Sequence, residues 1–72
     1  MRATEIIQYE GKVLGVLVET QPNDETKGYV TYFIEGIEIT DWGRIVPRYR
    51  RILTALADNL CELYRLTKEA QP

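Results

Sequence analysis

The chain has 72 residues, of which 44% are hydrophobic and 28% charged, and its formal net charge is −2. This composition is that of a globular protein rather than a disordered one, and the length predicts a single domain over residues 1–72. The sequence has no histidine, which removes the usual base at neutral pH and the commonest metal ligand, and Cys61 is its only cysteine.

These features favour a cytoplasmic, non-enzymatic protein. No apolar run reaches the length of a membrane span, and residues 1–11 hold an acid and a glutamine where a signal peptide needs a continuous apolar stretch. A lone cysteine excludes an internal disulfide and fits a reducing compartment. We therefore expect no membrane contact, no catalytic residues, no cofactor and no bound metal ion.

Two β-prone segments at the start of the chain predict a hairpin. They are residues 4–9 and 12–20, and the connection between them contains Gly11, which supplies the positive φ of a tight turn. The second segment is apolar on both faces, since alternate side chains of a strand point to opposite sides. One face carries Leu14, Val16 and Val18, and the other carries Val13 and Leu17.

The middle of the chain predicts a loop and further strands. Residues 21–28 combine proline, asparagine, aspartate and glycine, which is typical of a loop. Residues 29–35 are β-branched and aromatic, and residues 37–40 alternate between apolar and polar side chains. Between them lies Gly36, so these segments form either a second hairpin or one strand kinked at this glycine.

From Pro47 the apolar period changes to that of a helix, which we predict over residues 47–68. Proline is favourable at the first helical position because its missing N–H has no helical partner. The apolar stripe covers only two heptads, so it indicates packing on the protein's own sheet rather than a coiled coil. Its members are Tyr49, Leu53, Leu56, Leu60 and Leu63.

The predicted fold is α+β: a small antiparallel sheet of three to four strands (two hairpins, residues 4–41) with one long C-terminal helix packed on one face. A single helix cannot cover both faces of a strand that is apolar on both sides. The uncovered face should therefore meet another chain, and we predict self-association through Val13, Leu17 and Phe33.

Charge is distributed unevenly along the chain. Residues 5–41 hold eight acids against two lysines, a balance of −6, whereas residues 42–54 contain four arginines and no acid. The arginines surround a predicted helix N-terminus without a capping side chain, where cations are unfavourable unless an anion is near. Two interpretations stay open: internal pairing with Glu35, Glu38 or Asp41, or binding of an external anion. The arginines are Arg44, Arg48, Arg50 and Arg51.

Other candidate sites have weaker support. Cys61 lies one turn before Arg65, which would favour thiolate, but without a histidine base we interpret it as a small, half-buried apolar residue. The carboxylates of Glu35, Glu38 and Asp41 match no calcium-loop spacing and indicate a solvated edge. The aromatic residues serve either the core or a contact surface, and Tyr32 and Phe33 should point to opposite faces.

From these features we predict a small non-enzymatic protein–protein interaction module, of the accessory, regulatory or inhibitor kind, that forms a homodimer. Its partners would be a larger protein, a second copy of itself, or both. The predicted partner-binding residues are Trp42, Arg44, Arg48, Tyr49, Arg50 and Arg51. The alternative is a nucleic-acid-binding protein that contacts phosphates through the four arginines.

Overall fold

The structure is a computed structural model that describes residues 1–69, and it shows an antiparallel sheet with one helix packed on it. The predicted α+β fold is confirmed. In chain order the elements are β1 (Arg2–Tyr9), β2 (Lys12–Gln21), β3 (Asp24–Ile34), β4 (Ile37–Glu38), a 3₁₀ helix (Trp42–Arg44), α1 (Pro47–Leu63) and β5 (Thr67–Lys68). The sheet order is β1-β2-β3-β4, and β5 pairs in parallel with β3.

Two tight turns of the same kind build the hairpins β1–β2 and β3–β4. Each turn has two central residues with positive φ: Glu10 at 51° and Gly11 at 76°, then Glu35 at 52° and Gly36 at 78°. Positive φ at both positions is the type I′ geometry, whose twist matches that of the flanking strands. The chain therefore forms a second hairpin at Gly36 rather than a kinked strand.

The loop predicted over residues 21–28 is wrong. β2 continues to Gln21 and β3 begins at Asp24, so only Pro22 and Asn23 form the turn. The carboxylate of Asp24 accepts hydrogen bonds from the amide (3.0 Å) and hydroxyl (2.5 Å) of Thr26. These local bonds and the cross-strand pairing hold polar residues in extended conformation, because strand pairing satisfies their backbone groups whatever their side chains.

The helix ends at Leu63 rather than at Lys68, which corrects the predicted boundary. Arg65 adopts a left-handed φ of 58°, the Leu66 amide donates to the Cys61 carbonyl at 2.7 Å, and the Arg65 amide donates to the Glu62 carbonyl at 3.2 Å. This is the Schellman pattern of a helix C-terminus. The chain then reverses, packs Leu66 against the core, and pairs β5 with β3.

The core lies between α1 and one face of the sheet. Ala57 and Cys61 are buried on α1, whereas Leu63, predicted in the apolar stripe, is 67% exposed. The helical period places Leu63 on a flank of α1 rather than on the side that faces the sheet. The buried residues are Leu14, Val16 and Val18 on β2, Val30 and Tyr32 on β3, and Tyr49, Leu53, Ala57, Leu60 and Cys61 on α1.

Candidate functional site

The face of the sheet turned away from α1, here called the open face, keeps apolar side chains in contact with solvent. Ile6 is 67% exposed, Val13 39% and Tyr29 51%. Leu17 and Phe33 are half-buried. The placement of Val13, Leu17 and Phe33 on a face that the helix does not cover agrees with the sequence prediction, although self-association through them stays a prediction.

A shallow groove of about 280 Å³ runs across the open face between β1, β2 and β3. Its lining includes Gly15, which has no side chain to fill the space between its neighbours. A Cβ atom there would lie 3.7 Å from Cγ1 of Ile6 and 3.8 Å from Cβ of Phe33, which is ordinary contact distance. Gly15 is itself buried, so it forms the floor of a hollow in the open face, beside the projecting side chain of Ile6.

Polar interactions surround this apolar centre. At one end Nε of Arg2 lies 3.2 Å from a carboxylate oxygen of Glu19, and the Gln21 amide donates to the Tyr29 hydroxyl at 2.6 Å. At the other end the Val13 amide donates to the Glu35 carboxylate at 3.3 Å. An apolar centre within a polar rim is the usual anatomy of a protein–protein contact surface.

Two of the arginines before and within the first turn of α1 pair with acids of the same chain. Arg48 contacts Glu10 through two bonds, Nε to Oε1 at 2.6 Å and Nη2 to Oε2 at 3.3 Å, and its guanidinium lies 5.0 Å from the Tyr49 ring centroid. Arg44 lies 3.3 Å from Asp41, with both side chains largely exposed. Pairing with Asp41 was one of the predicted alternatives, whereas pairing with Glu10 was not foreseen.

The other two arginines flank an open depression next to Trp42. Arg50 and Arg51 line it together with Pro47 and Asp58, and no ion pair of either arginine occurs within residues 1–69. Trp42 is half-buried, and its ring centroid lies 4.5 Å from that of Tyr32. The depression therefore combines the Trp42 side chain with two arginines that have no ion pair in the part of the chain that the structure describes.

Tyr49, predicted both in the apolar stripe of the helix and among the partner-binding residues, lies in the core rather than on this surface. It is only 7% exposed, and its ring packs edge-on against Tyr9 at 5.8 Å. The reason is its place in the helix: Tyr49 lies one turn before Leu53, on the side of α1 that faces the sheet. Its aromatic ring is therefore part of the hydrophobic core.

The pairing of Arg48 with Glu10 gives a pH-dependent prediction. Hydrogen bonding to Arg48 holds the pKa of the Glu10 carboxyl below its ordinary value. A lowered pKa means that the pair stabilises the fold above the unfolded-state pKa and is lost as pH falls through the folded-state pKa. We expect Arg48→Gln to raise the Glu10 pKa towards its ordinary value in an NMR titration. The control Arg51→Gln should leave it unchanged, and an unaltered titration in Arg48→Gln would contradict the pairing.

Cys61 is buried in the core, 5% exposed, and burial raises the pKa of its thiol. A raised pKa lowers the thiolate fraction at neutral pH, which opposes nucleophilic chemistry. We expect an aromatic disulfide reagent to label folded Cys61 at least about tenfold more slowly than the chain unfolded in guanidinium. Equal rates in the two states would show that the thiol is accessible.

The remaining acids do not assemble into a metal centre. Within residues 1–69 no three side chains of the cysteine, aspartate or glutamate kind lie close enough together to hold an ion. Glu35 and Glu38 lie on and beside the turn between β3 and β4, both exposed. Their predicted interpretation as a solvated edge fits these positions.

Sequence reasoning missed two members of the open face. Ile6 and Gly15 stand opposite each other in the β1–β2 register. The two-residue turn at Glu10 and Gly11 fixes that register, so the pair could have been found by counting back from the turn. Ile6 and Ile7 are adjacent and equally apolar, so the sequence alone does not show which of them faces solvent. In the structure Ile7 packs against the core and Ile6 lies on the open face.

The comparisons with known proteins leave function to be argued from this geometry. No protein-family model, curated protein or solved structure matches the chain. No helix within residues 1–69 has the length and hydropathy to cross a membrane.

Proposed function

We propose that this chain is a small non-enzymatic protein–protein interaction module of the accessory, regulatory or inhibitor kind. The observation that carries the proposal is the open face, an apolar surface around Ile6, Val13 and Leu17 that α1 leaves uncovered. Apolar surface exposed as a continuous patch marks a contact site, because burying it against another protein is favourable.

The occupant we propose for the open face is a second copy of the chain, which makes the protein a homodimer. The face carries both a projection, Ile6, and a hollow, Gly15, within one cross-strand pair. A two-fold axis through this part of the face would place Ile6 of each copy in the Gly15 hollow of the other. A two-fold interface requires a self-complementary surface of this kind.

The experiment is a molar-mass measurement with two matched substitutions. We expect the wild-type chain to exceed its own mass of 8.4 kDa at least twofold in light scattering. Val13→Lys places a charge on the open face and should lower that mass, because burying an unpaired cation costs several kcal/mol, of order 2–5. Val46→Lys is the control, since Val46 has nearly the same exposure (40% against 39%) but lies outside the open face. A monomeric wild-type chain at about 100 μM would overturn self-association.

The second contact surface is the depression at Trp42, Arg50 and Arg51, and its proposed partner is an acidic surface of a larger protein. Unpaired guanidinium groups bind carboxylates in a bidentate manner, and tryptophan and arginine are enriched among interface anchors. Arg44 and Arg48 contribute less, because each already contacts a carboxylate.

Nucleic-acid binding, the alternative predicted from the four arginines, has less support. Pairing with Asp41 and Glu10 neutralises two of the four, and the chain carries a net charge of −2. A titration with DNA and RNA at two salt concentrations separates the two partners. Binding that weakens steeply with salt and is lost in Arg50→Ala would favour phosphate contact over an acidic protein.

A further inference from the structure

The two edges of the sheet differ in how far other strands of the chain cover them. On the outer side of β3, β4 pairs with its last residues and β5 pairs with Lys27 and Gly28, so short strands cover both ends. On the opposite side β1 ends the sheet, and within residues 1–69 it pairs with β2 alone. β1 is eight residues long, and its charged residues are Arg2 and Glu5. It has no proline, no lysine and no bulge in its pairing, and these are three of the features that keep edge strands from pairing with other chains.

The alternation of hydrogen bonds between β1 and β2 shows which backbone groups of β1 face away from the sheet. The Thr20 amide donates to the Met1 carbonyl at 3.0 Å, and the register continues with Arg2 opposite Glu19. Residues in an antiparallel pair alternate between bonding inwards and bonding outwards. Odd residues of β1 therefore bond to β2, and the outward N–H and C=O groups belong to Arg2, Thr4, Ile6 and Gln8.

We infer that β1 pairs antiparallel with β1 of a second copy, about a two-fold axis at Ile6, and joins the two sheets into one. This inference rests on the proposed function, since it assumes a self-associating module, but it uses a different surface from the open face. The two surfaces are independent. Together they would assemble four chains.

Hydrogen bonding and charge select the register. Outward-facing groups belong to even residues, so only registers that pair even with even are allowed, and two of these leave just one residue of β1 without an opposite residue. Pairing Thr4 with Ile6 would place Glu5 directly opposite Glu5 of the other copy, which is unfavourable for like charges. Shifting by one step places Ile6 opposite itself and Thr4 opposite Gln8, all within β1. This register avoids the acid pair.

The flank of α1 beside β1 supplies an apolar layer to the same interface. Asp58 on the other flank bonds to Lys68 of β5 at 2.8 Å, beyond β3, so the opposite flank lies towards β1. The helical period places Ile52, Leu56 and Leu63 there, on the same side as Arg48. Ile52 and Leu56 are partly buried and Leu63 is exposed.

These side chains have the size that the joined sheet requires. α1 packs chiefly against β2. Two helices over β2 and its copy would be three strand spacings apart, about 14 Å. That separation exceeds the 8–10 Å of directly packed helices. Large side chains from both copies can span the gap, whereas small ones would leave it open.

Cross-linking tests the register directly. All chains carry Cys61→Ala to remove the native thiol and Val13→Lys to disable the open face. With a mild oxidant we expect Ile6→Cys to form a covalent dimer, since a directly paired position has a Cα separation of about 5.5 Å, within disulfide range. Thr4→Cys alone should stay monomeric, and a mixture of Thr4→Cys with Gln8→Cys chains should cross-link. Failure of both Ile6→Cys and the mixture to cross-link would overturn the edge pairing.

Two single proline substitutions test the edge pairing without a covalent cross-link. Thr4→Pro removes an outward N–H and should keep the fold, whereas Glu5→Pro removes a bond to β2 and should lower the melting temperature. We expect the molar mass of Thr4→Pro to be half that of the wild type, with the circular dichroism spectrum unchanged. An unchanged mass in Thr4→Pro, with a lowered mass in Val13→Lys, would overturn the edge pairing and leave the proposed function standing. Capture of an extended peptide in place of a second copy would likewise overturn it.

Discussion

Replacing Leu53 by alanine should destabilise the protein by about 2–5 kcal/mol, the range for removing a fully buried leucine from a core. Leu53 is 0% exposed, at the middle of the sheet-facing side of α1, and shares the core with Leu14 and Val16 of β2. Truncation would leave a cavity between the helix and the sheet, with little freedom for the neighbours to close it. A domain of this size has a total stability of about 4–11 kcal/mol, so this loss is a large fraction of the whole.

Leu63→Ala is the matched control for this substitution. Leu63 belongs to the same helix but is 67% exposed, so its truncation should cost less than about 1 kcal/mol. Urea unfolding followed by circular dichroism measures both variants, at a concentration where the molar mass is that of one chain. Similar losses in the two variants would contradict the placement of α1 on the sheet.

The fold could be predicted where local pattern and burial agree. Alternation in β2 identifies a strand that is apolar on both faces, and the helical spacing from Tyr49 to Leu60 identifies the side of α1 that is buried. Gly11 and Gly36 mark both tight turns. The open face follows from these elements by counting, because one helix cannot cover two faces of a sheet.

The ends of the helix and strands depend on tertiary contacts that no local sequence pattern indicates. Helix termination at Arg65 uses a left-handed arginine where glycine is the usual residue, so no local pattern indicates it. Beyond this turn Leu66 packs against the core, a contact that opposes the backbone cost of the left-handed arginine. Strand formation at Asp24 likewise depends on pairing with β2 and overrides a segment typical of loops.

The candidate site could be predicted only in part, for the same reason. Arg48 pairs with Glu10, which is 38 residues away in the chain, and only the fold brings them together. Tyr49 was grouped with the arginines next to it in sequence, yet neighbours on a helix point in different directions. Charge clustering along a sequence is therefore a weak guide to charge clustering on a surface.

Replacing Gly28 by alanine is the second substitution with a large expected effect. A Cβ atom at Gly28 would lie 2.9 Å from Cγ1 of Val18 and 3.3 Å from Cδ1 of Leu66. Val18 is fully buried and β-branched, so it cannot rotate away, and Leu66 would be pushed out of its position beside β3. We expect a loss of about 1–3 kcal/mol, typical of overpacking. Hydrogen exchange should also quicken at Glu69, whose amide donates to the Gly28 carbonyl at 3.0 Å.

Gly15→Ala is the matched control, and it also connects stability with the proposed interface. Its new methyl group meets Ile6 and Phe33 at ordinary contact distances, so the fold should keep its stability or gain about 0.4–1 kcal/mol from a stiffer unfolded chain. The same methyl group fills the hollow that receives Ile6 of the second copy, so the association through the open face should weaken. The two variants should therefore differ in what they change. Gly28→Ala should lower the melting temperature, whereas Gly15→Ala should lower the molar mass alone. A Gly15→Ala protein that associates as strongly as the wild type would show that the hollow at Gly15 is not part of the contact.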